Sequence, residues 1–289
     1  MILITGATGF VGTSLTQHLR ARELPYRPYT GRLNDTVQLR EQLAGVQTVI
    51  HLATAQARGS RRLLEQVDVF GAEQLVKTAR YHEIEHLIVL SHINADPNSV
   101  YPVLQTKGRV ERLVTRSGVP YTILRSAFLF GRYDRFTNLI ASLALWNWPL
   151  VWLPAGGRSV VQPLWVEDLV RCIGLILDNP AFTNQTVTIA GNERYRYADL
   201  VFLIMEAIHI RRRPLNIHPQ IVKLINRALF APWPYPPVTQ FYLDQLAVSE
   251  IAPLDSVPDR FGFHPARLAQ HLSHLRRPGL RRHLFNKKF

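Results

Sequence analysis

The chain has 289 residues, 47% hydrophobic and 19% charged, which excludes a disordered protein and leaves room for one large α/β domain or a core domain with a smaller lobe. Its formal net charge of +13 is carried mainly by arginine and favours an anionic partner. The single cysteine, Cys172, excludes an internal disulfide, and the longest near-apolar stretch, 139–154, is too short for a helix that spans a membrane.

Short β-branched runs alternate with segments of helical period over the first two-thirds of the chain, which is typical of βαβ units. The pattern predicts strands at 2–4, 26–29, 48–52, 86–90, 121–124 and 186–189. Helices are predicted from residue 11 onwards, at 37–43, from Leu63 to about Arg80, around Lys107 and at 167–178. We therefore predict an α/β fold, a Rossmann-type doubly wound parallel sheet over 1–191, to which 136–158 contributes part of a second lobe. A smaller, mostly helical lobe with a basic tail is predicted over 192–289.

One edge of the predicted sheet is shortened. Only about twenty residues separate Tyr29 from Thr48, too few for a helix, a further strand and a second crossover. We expect one edge strand and its helix to be reduced or absent.

A glycine-rich loop lies between the first strand and the first helix and reads Thr5-Gly6-Ala7-Thr8-Gly9-Phe10-Val11-Gly12. In such a loop the first glycine allows a tight turn, the second lets backbone amides approach a pyrophosphate, and the third lets helix and strand pack closely. The start of the helix adds free N–H groups and a partial positive charge. The loop therefore predicts a dinucleotide site that uses Thr5, Gly6, Thr8, Gly9, Phe10, Val11 and Gly12.

The spacing of this loop resembles the extended and atypical short-chain dehydrogenase/reductase superfamily. The resemblance continues through Val49–Ala53, Val67–Ala72, Ser117–Arg125 and Gln162–Leu169, and so covers most of residues 1–210. The subgroup it resembles most contains proteins similar to the dinucleotide-binding accessory subunit of respiratory complex I. Two positions depart from the family pattern, Asp68 where Asn is usual and Ser126 where Pro is usual. The resemblance implies that the cofactor also contacts Leu52, Ala53, Thr54, Ser91, Lys107 and Ser126.

The turn after the second strand favours NADP(H) over NAD(H). NAD-binding proteins usually place an acidic residue there for the ribose 2′-hydroxyl, whereas this turn reads Tyr29-Thr30-Gly31-Arg32. The guanidinium of Arg32 suits a 2′-phosphate, although a side chain that points into water is the alternative. Asp35 either contacts adenine or caps a helix.

The chain carries only part of the set of catalytic residues found in the superfamily. Active members carry a Tyr four residues before a Lys on one helix; Lys107 is present, but Val103 stands at the Tyr position. Tyr101 is six residues before Lys107, about 200° around a helix, and reaches the site only if Pro102 breaks that helix. His92 occupies the usual catalytic Ser/Thr position and is either an acid or base or a plain hydrogen-bonding residue.

Two main hypotheses follow. The first is an NADP(H)-dependent oxidoreductase in which His92 or Tyr101 supplies the proton, Lys107 positions the cofactor, and the substrate is a small and apolar molecule such as a quinone. The second is a non-catalytic accessory or assembly subunit that docks on a membrane or a protein complex through its basic lobe, with an NADP(H) redox sensor as a weaker variant. Nucleic acid ranks last as a partner, and no metal site is predicted.

The start of the chain carries no basic segment of the secretory type, so we expect a cytoplasmic protein, with a peripheral position on the inner membrane face as the alternative. Trp146, Trp148 and Trp152 suit such an interface, although a buried helix and loop explain them as well.

Overall fold

A computed structural model describes residues 1–146, 149–230 and 239–276, and the chain divides into two compact units. Unit 1 contains residues 1–56, 60–126 and 166–189, and unit 2 contains residues 57–59, 127–165 and 190–289. The segment expected to join the second lobe, 136–158, lies within the longer stretch 127–165. Trp148, a proline-rich stretch at 232–237 and the basic tail beyond Arg276 lie outside the described residues.

The elements follow the alternating pattern. The strands are β1 (Ile2–Thr5), β2 (Tyr26–Tyr29), β3 (Thr48–His51), β4 (His86–His92), β5 (Tyr121–Ser126), β6 (Leu129–Phe130), β7 (Leu150–Pro154), β8 (Val160–Val161), β9 (Leu164–Trp165), β10 (Gln185–Ile189), β11 (Tyr195–Arg196) and β12 (Arg213–Ile217). The helices are α1 (Phe10–Ala21), α2 (Thr36–Leu43), α3 (Arg61–Leu63), α4 (Phe70–Tyr81), α5 (Pro102–Thr115), α6 (Phe136–Trp146), α7 (Val166–Asp178), α8 (Tyr197–Ala207), α9 (Pro219–Phe230), α10 (Gln240–Gln245) and α11 (Pro258–Phe261).

Unit 1 is built on a six-stranded parallel sheet in the order β10-β5-β4-β3-β1-β2, which confirms the predicted Rossmann-type fold. The chain reverses its direction of winding at β1, whose neighbours are β2 and β3. In open sheets of this kind, ligands bind outside the carboxyl ends of the strands at that reversal. The glycine loop follows β1 at this position.

The predicted loss of an edge unit agrees with the topology. A single helix, α2, connects β2 to β3, and β2 forms the edge of the sheet among the described residues. Apolar side chains of β1, β3, β4 and β5 pack beneath α2, α4 and α5, where Leu3, Val49, Leu87 and Ile123 are fully buried.

The helix predicted from Leu63 to about Arg80 is longer and irregular. It begins at Arg61, where the Ser60 side chain accepts a hydrogen bond from the Leu63 amide, and it ends at Tyr81. Between α3 and α4 the residues Leu64–Val69 form a π-helical turn. Such turns insert an extra residue into a helix and are frequent at functional sites.

Unit 2 combines short strand pairs with helices. β7 pairs with β12, β6 with β9, and β8 with β11. Aromatic and aliphatic side chains of α6 and α8 form its core, in which Phe128 and Phe136 stack with ring centroids 4.3 Å apart. Buried Asp134 accepts hydrogen bonds from the backbone and hydroxyl of Thr137 and from the Gly131 amide, which fixes the start of α6.

Candidate functional site

The glycine loop is held so tightly that two of its glycines admit no side chain. Gly6 has a φ of +74°, and a Cβ there would lie 2.8 Å from the Ala53 amide nitrogen. A Cβ on Gly12 would lie 2.2 Å from the carbonyl oxygen of Gly6. Gly9 has an extended backbone, and a Cβ there would lie 3.3 Å from the same oxygen. The loop is therefore pressed against both α1 and the end of β3.

The start of α1 is open to an anion. Gly9 is the N-cap, no side chain caps the helix, and no acidic residue lies in its first turn. The first intrahelical bond runs from Thr13 N to Gly9 O over 2.9 Å, so the amides of Phe10, Val11 and Gly12 have no helical acceptor. Thr8 and Gly9 are exposed beside them. These amides and the helix dipole suit a pyrophosphate.

Thr5 faces the interior of the sheet. Its side chain is fully buried, and its hydroxyl lies 2.7 Å from His51 Nδ1 at the end of β3. The Ala53 amide donates to the same hydroxyl over 3.4 Å. The hydroxyl thus joins the carboxyl ends of β1 and β3 and positions the turn Leu52–Thr54, whose residues are partly or fully exposed.

Asp68, on the π-helical turn, organises the same turn from the other side. Its buried carboxylate accepts a hydrogen bond from the Thr54 hydroxyl at 2.6 Å and from the Ala55 amide at 2.8 Å. Lys107 Nζ of α5 lies 3.7 Å from Asp68 Oδ1, and the lysine side chain is 12% exposed. Asp68 therefore fixes the turn after β3 and pairs with the lysine predicted to hold the cofactor.

His92 lies at the carboxyl end of β4. Its Nε2 is 3.1 Å from Gln56 Oε1, so the ring proton is on Nε2 when Gln56 accepts, and Nδ1 is a buried acceptor with no hydrogen-bond partner among the described residues. Burial, followed by the nearby charge of Lys107, lowers the pKa of His92 to about 3. Burial and Lys107 also lower the pKa of His51 to about 3. Both imidazoles are neutral at pH 7.

Ser91 points away from His92, because successive side chains of a strand alternate between faces. Its hydroxyl donates to Glu111 of α5 at 2.5 Å, and Arg125 of β5 forms a close ion pair with the same carboxylate. Ser126, the register partner of His92 on β5, is buried. Ser91 thus binds the sheet to α5 through its side chain.

Tyr101 is outside the helix that carries Lys107. It is the N-cap of α5, with φ −90° and ψ 119°, and Pro102 begins the helix. Val103, four residues before Lys107, is 2% exposed. Because the helix begins only at Pro102, helical geometry does not fix the distance between Tyr101 and Lys107.

Arg32 is exposed on the turn after β2, and its guanidinium has no hydrogen-bond or ion-pair partner among the described residues. The Arg32 carbonyl accepts from the Tyr29 hydroxyl at 2.9 Å, which fixes the backbone of the turn. Asp35 caps α2, since its Oδ1 accepts from the Gln38 amide at 3.1 Å. The guanidinium is thus free for an anionic ligand.

Sequence reasoning missed several contacts of this site. Nothing in the local sequence pairs Gln56 with His92, or Glu111 with Ser91 and Arg125. Asp68 stood out as a departure from the family pattern, but its pairing with Lys107 depends on the π-helical turn. The spacing of these residues along the chain gave no signal for either arrangement.

Comparison with known proteins agrees with this geometry. A model of a family described as NAD(P)H-binding matches residues 25–135. This match and the six-stranded parallel sheet show that the chain contains an NAD(P)-binding Rossmann domain, as the sequence predicted.

Over most of its length the chain is homologous to subunits of mitochondrial NADH-ubiquinone oxidoreductase. It is 26% identical over 258 residues to the NADH-ubiquinone oxidoreductase 40 kDa subunit of Neurospora crassa, which covers 80% of this chain and 67% of the subunit. It is also 26% identical over 285 residues to the NADH dehydrogenase (ubiquinone) 1 alpha subcomplex subunit 9 of Mus musculus, covering 87% and 73%. The photosystem II assembly factor Ycf39 of Trieres chinensis is 24% identical over 210 residues, covering 72% and 62%.

Solved structures share the fold at low sequence identity. A nucleoside-diphosphate-sugar epimerase from Staphylococcus aureus superposes with a TM-score of 0.76 at 17% identity, covering 94% of this chain and 99% of that chain. A UDP-glucose 4-epimerase from Thermotoga maritima gives a TM-score of 0.73 at 17% identity, covering 95% and 96%.

No helix among the described residues is both long and apolar enough to cross a membrane.

Proposed function

We propose that this protein binds NADP(H) as a stabilising ligand and acts as a non-catalytic accessory or assembly component that docks on a membrane or a protein complex. One observation carries this proposal. The residue four before Lys107 is the buried, aliphatic Val103, and Lys107 itself is paired with Asp68. The proton donor of the superfamily is therefore missing where its lysine is retained.

Two further observations support the proposal. His92 is neutral at pH 7, and its one ring proton faces Gln56, so it is a poor acid in this state. The curated relatives at 24–26% identity include subunits of a respiratory complex and an assembly factor of a photosystem. We infer that docking on a larger complex is the shared role.

The preference for NADP(H) rests on Arg32. The turn after β2 offers an exposed guanidinium, and its acidic residue, Asp35, is engaged as the cap of α2. A guanidinium and the absence of a competing carboxylate favour a 2′-phosphate over a 2′-hydroxyl.

Thermal unfolding with and without NADPH tests the proposed role. A ligand at 100 times its Kd adds about 2.7 kcal/mol of stability, so NADPH is expected to raise the Tm clearly. An alanine at position 9 is compatible with the extended backbone there, so Gly9→Ala should fold normally. Its Cβ would crowd the loop, so the NADPH-induced rise in Tm should be lost. Gln17→Ala, on an exposed position of α1 beyond its first turn, is the matched control and should keep the shift.

An NADP(H)-dependent oxidoreductase is the second candidate, and the position of His92 at the carboxyl end of β4, the end at which ligands of such sheets bind, favours it. NADPH would supply a hydride, and the chain would supply a proton from His92 or Tyr101 to the substrate oxygen while Lys107 holds the cofactor. Sustained oxidation of NADPH with a quinone or an aldehyde, abolished by His92→Ala or Tyr101→Phe, would establish this function. Absence of oxidation across such substrates supports the accessory role.

A further inference from the structure

One stretch of unit 2 concentrates positive charge. Between Glu206 and Asp244 the sequence contains no acidic residue, and it carries the consecutive arginines Arg211, Arg212 and Arg213. Lys223 also lies in this stretch, but its Nζ is 2.7 Å from Asp244 Oδ1, so its charge is neutralised locally. The arginines therefore dominate the charge of this stretch among the described residues.

The fold presents two of these arginines to solvent. The Arg212 side chain turns inward and donates from Nε to the Ala144 carbonyl at 3.1 Å. Arg211 and Arg213 flank it and are exposed, and their guanidinium groups have no partner in the part of unit 2 that the structure describes. Pairing of β12 with β7 holds this backbone in place.

Apolar side chains are exposed directly after the arginines. Leu215 of β12 is 40% exposed, and its register partner on β7 is Trp152. On α9, Ile221 is 49% and Leu224 is 67% exposed. Positions 221, 224 and 228 are three and four residues apart, so they share one face of α9, and Ala228 is exposed as well.

The opposite face of α9 is the one that packs against the rest of unit 2. Val222 is buried against Leu139 of α6 and Leu243 of α10, so α9 already uses one face for packing. The exposed face is a second apolar stripe on the same helix. We call the stretch 211–228, with its exposed arginines and this stripe, the basic–apolar segment.

We propose that the basic–apolar segment lies on the surface of a bilayer that contains anionic lipid. A helix with an exposed apolar stripe and neighbouring arginines suits the interface, where aliphatic side chains enter the acyl boundary and guanidinium groups meet phosphate headgroups. A nucleic acid, or a protein surface that is acidic throughout, would satisfy the arginines but would leave Ile221 and Leu224 without an apolar environment. The inference deepens the docking part of the proposed function and does not involve the cofactor site.

Vesicle co-sedimentation of the full chain tests the segment. Binding is expected to vesicles of phosphatidylcholine with phosphatidylglycerol and to be much weaker with phosphatidylcholine alone. Replacing both exposed arginines, Arg211→Gln with Arg213→Gln, should lower the partition coefficient about 25-fold, because each basic residue near such a surface contributes about 1 kcal/mol. The control Arg112→Gln with Arg116→Gln, on exposed positions at the end of α5, should leave binding unchanged.

A site-specific dye tests whether the apolar stripe enters the bilayer. The natural cysteine, Cys172, is buried and its thiol pKa is raised by burial, so a second cysteine can be labelled selectively. An environment-sensitive dye on Leu224→Cys should shift to the blue with anionic vesicles. The same dye on Val37→Cys, which is also 67% exposed but lies on α2, should not shift.

Three results would overturn the proposal: no binding to anionic vesicles, binding that the Arg211 and Arg213 substitutions leave intact, or binding without a dye shift at position 224. Binding that survives the arginine substitutions would assign the membrane contact to the basic tail. Binding without a dye shift would assign it to charge alone. NADPH-induced stabilisation measured on the same variants separates this outcome from failure of the cofactor proposal.

Discussion

Lys107 Nζ of α5 lies 3.7 Å from Asp68 Oδ1 of the π-helical turn, and both side chains are largely buried. In the superfamily that this chain resembles, the lysine lowers the pKa of a tyrosine and holds the cofactor ribose. Here the tyrosine position is occupied by Val103, and the lysine has acquired a carboxylate partner. The pair therefore joins α5 to the turn after β3, where the predicted cofactor contacts lie.

Loss of the buried Asp68–Lys107 pair should lower the free energy of unfolding more than loss of the exposed Glu65–Arg109 pair, which joins the same two elements. Asp68→Ala leaves Lys107 without a partner and removes two further hydrogen bonds, so the free energy of unfolding should fall by about 3–5 kcal/mol. Glu65→Ala removes the pair with Arg109, whose side chains are 54% and 41% exposed, and should cost less than about 1 kcal/mol. Urea unfolding of both variants makes the comparison, and equal losses would show that the Asp68 pair has no special role.

Arg32 should determine the choice between the two dinucleotides. Arg32→Ala is expected to weaken NADPH binding about tenfold or more, because a charged hydrogen bond is worth about 1.5–3 kcal/mol. Binding of NADH should change little. Arg116→Ala, an exposed arginine at the C-terminal end of α5, is the control. An equal loss for both dinucleotides would remove Arg32 from the recognition of the 2′-phosphate.

His51 and His92 should make the protein sensitive to acid. Their pKa values in the fold are about 3, below the ordinary value of 6.5, so the unfolded chain binds protons that the folded chain does not. The stability that these neutral histidines contribute is complete above about pH 6.5. It is lost as the pH falls towards 3, by roughly 1.4 kcal/mol per pH unit for each histidine. His92→Asn should reduce the slope of stability against pH in urea unfolding, and an unchanged slope would contradict the neutral state assigned to His92.

Glu250 in unit 2 should have the opposite effect on the pH dependence of stability, because it makes the fold less stable as the pH rises. Its carboxyl group is 1% exposed, and burial raises its pKa to about 8, partly offset by the Phe128 backbone N–H. The folded chain keeps a proton that the unfolded chain loses above about pH 4.5, so stability falls as the pH rises towards 8. Glu250→Gln replaces the protonated carboxyl with a neutral group of similar shape and should raise the Tm at pH 8. A lower Tm at that pH would show that the ionised form is accommodated.

The structural features that could be predicted from the sequence depend on local chemistry. Gly6 and Gly12 are needed wherever a strand, a tight turn and a helix pack this closely, so their spacing identified the loop and the first βαβ unit. The short interval between Tyr29 and Thr48 likewise predicted the reduced edge of the sheet, since a crossover needs a minimum length.

The parts that could not be predicted depend on contacts between distant residues. The π-helical turn inserts a residue into a helix, and hydrophobic periodicity does not reveal such an insertion. The environment of His92 depends on Gln56 and Lys107, from two other elements, so its low pKa could not be deduced from its position after Ser91. The hydrogen bond from the Ser91 hydroxyl to Glu111 likewise joins residues of two elements, and no local pattern around Ser91 predicts it.

Titration of the full chain with NADPH and with NADH tests whether this protein binds a cofactor without reacting it. Binding is followed by cofactor fluorescence, and the titration is repeated with quinones and aldehydes present. Saturable binding is expected, tighter for NADPH than for NADH, without oxidation of the bound cofactor by any of these compounds. Absence of saturable binding would contradict the cofactor site, and sustained oxidation would contradict the non-catalytic role.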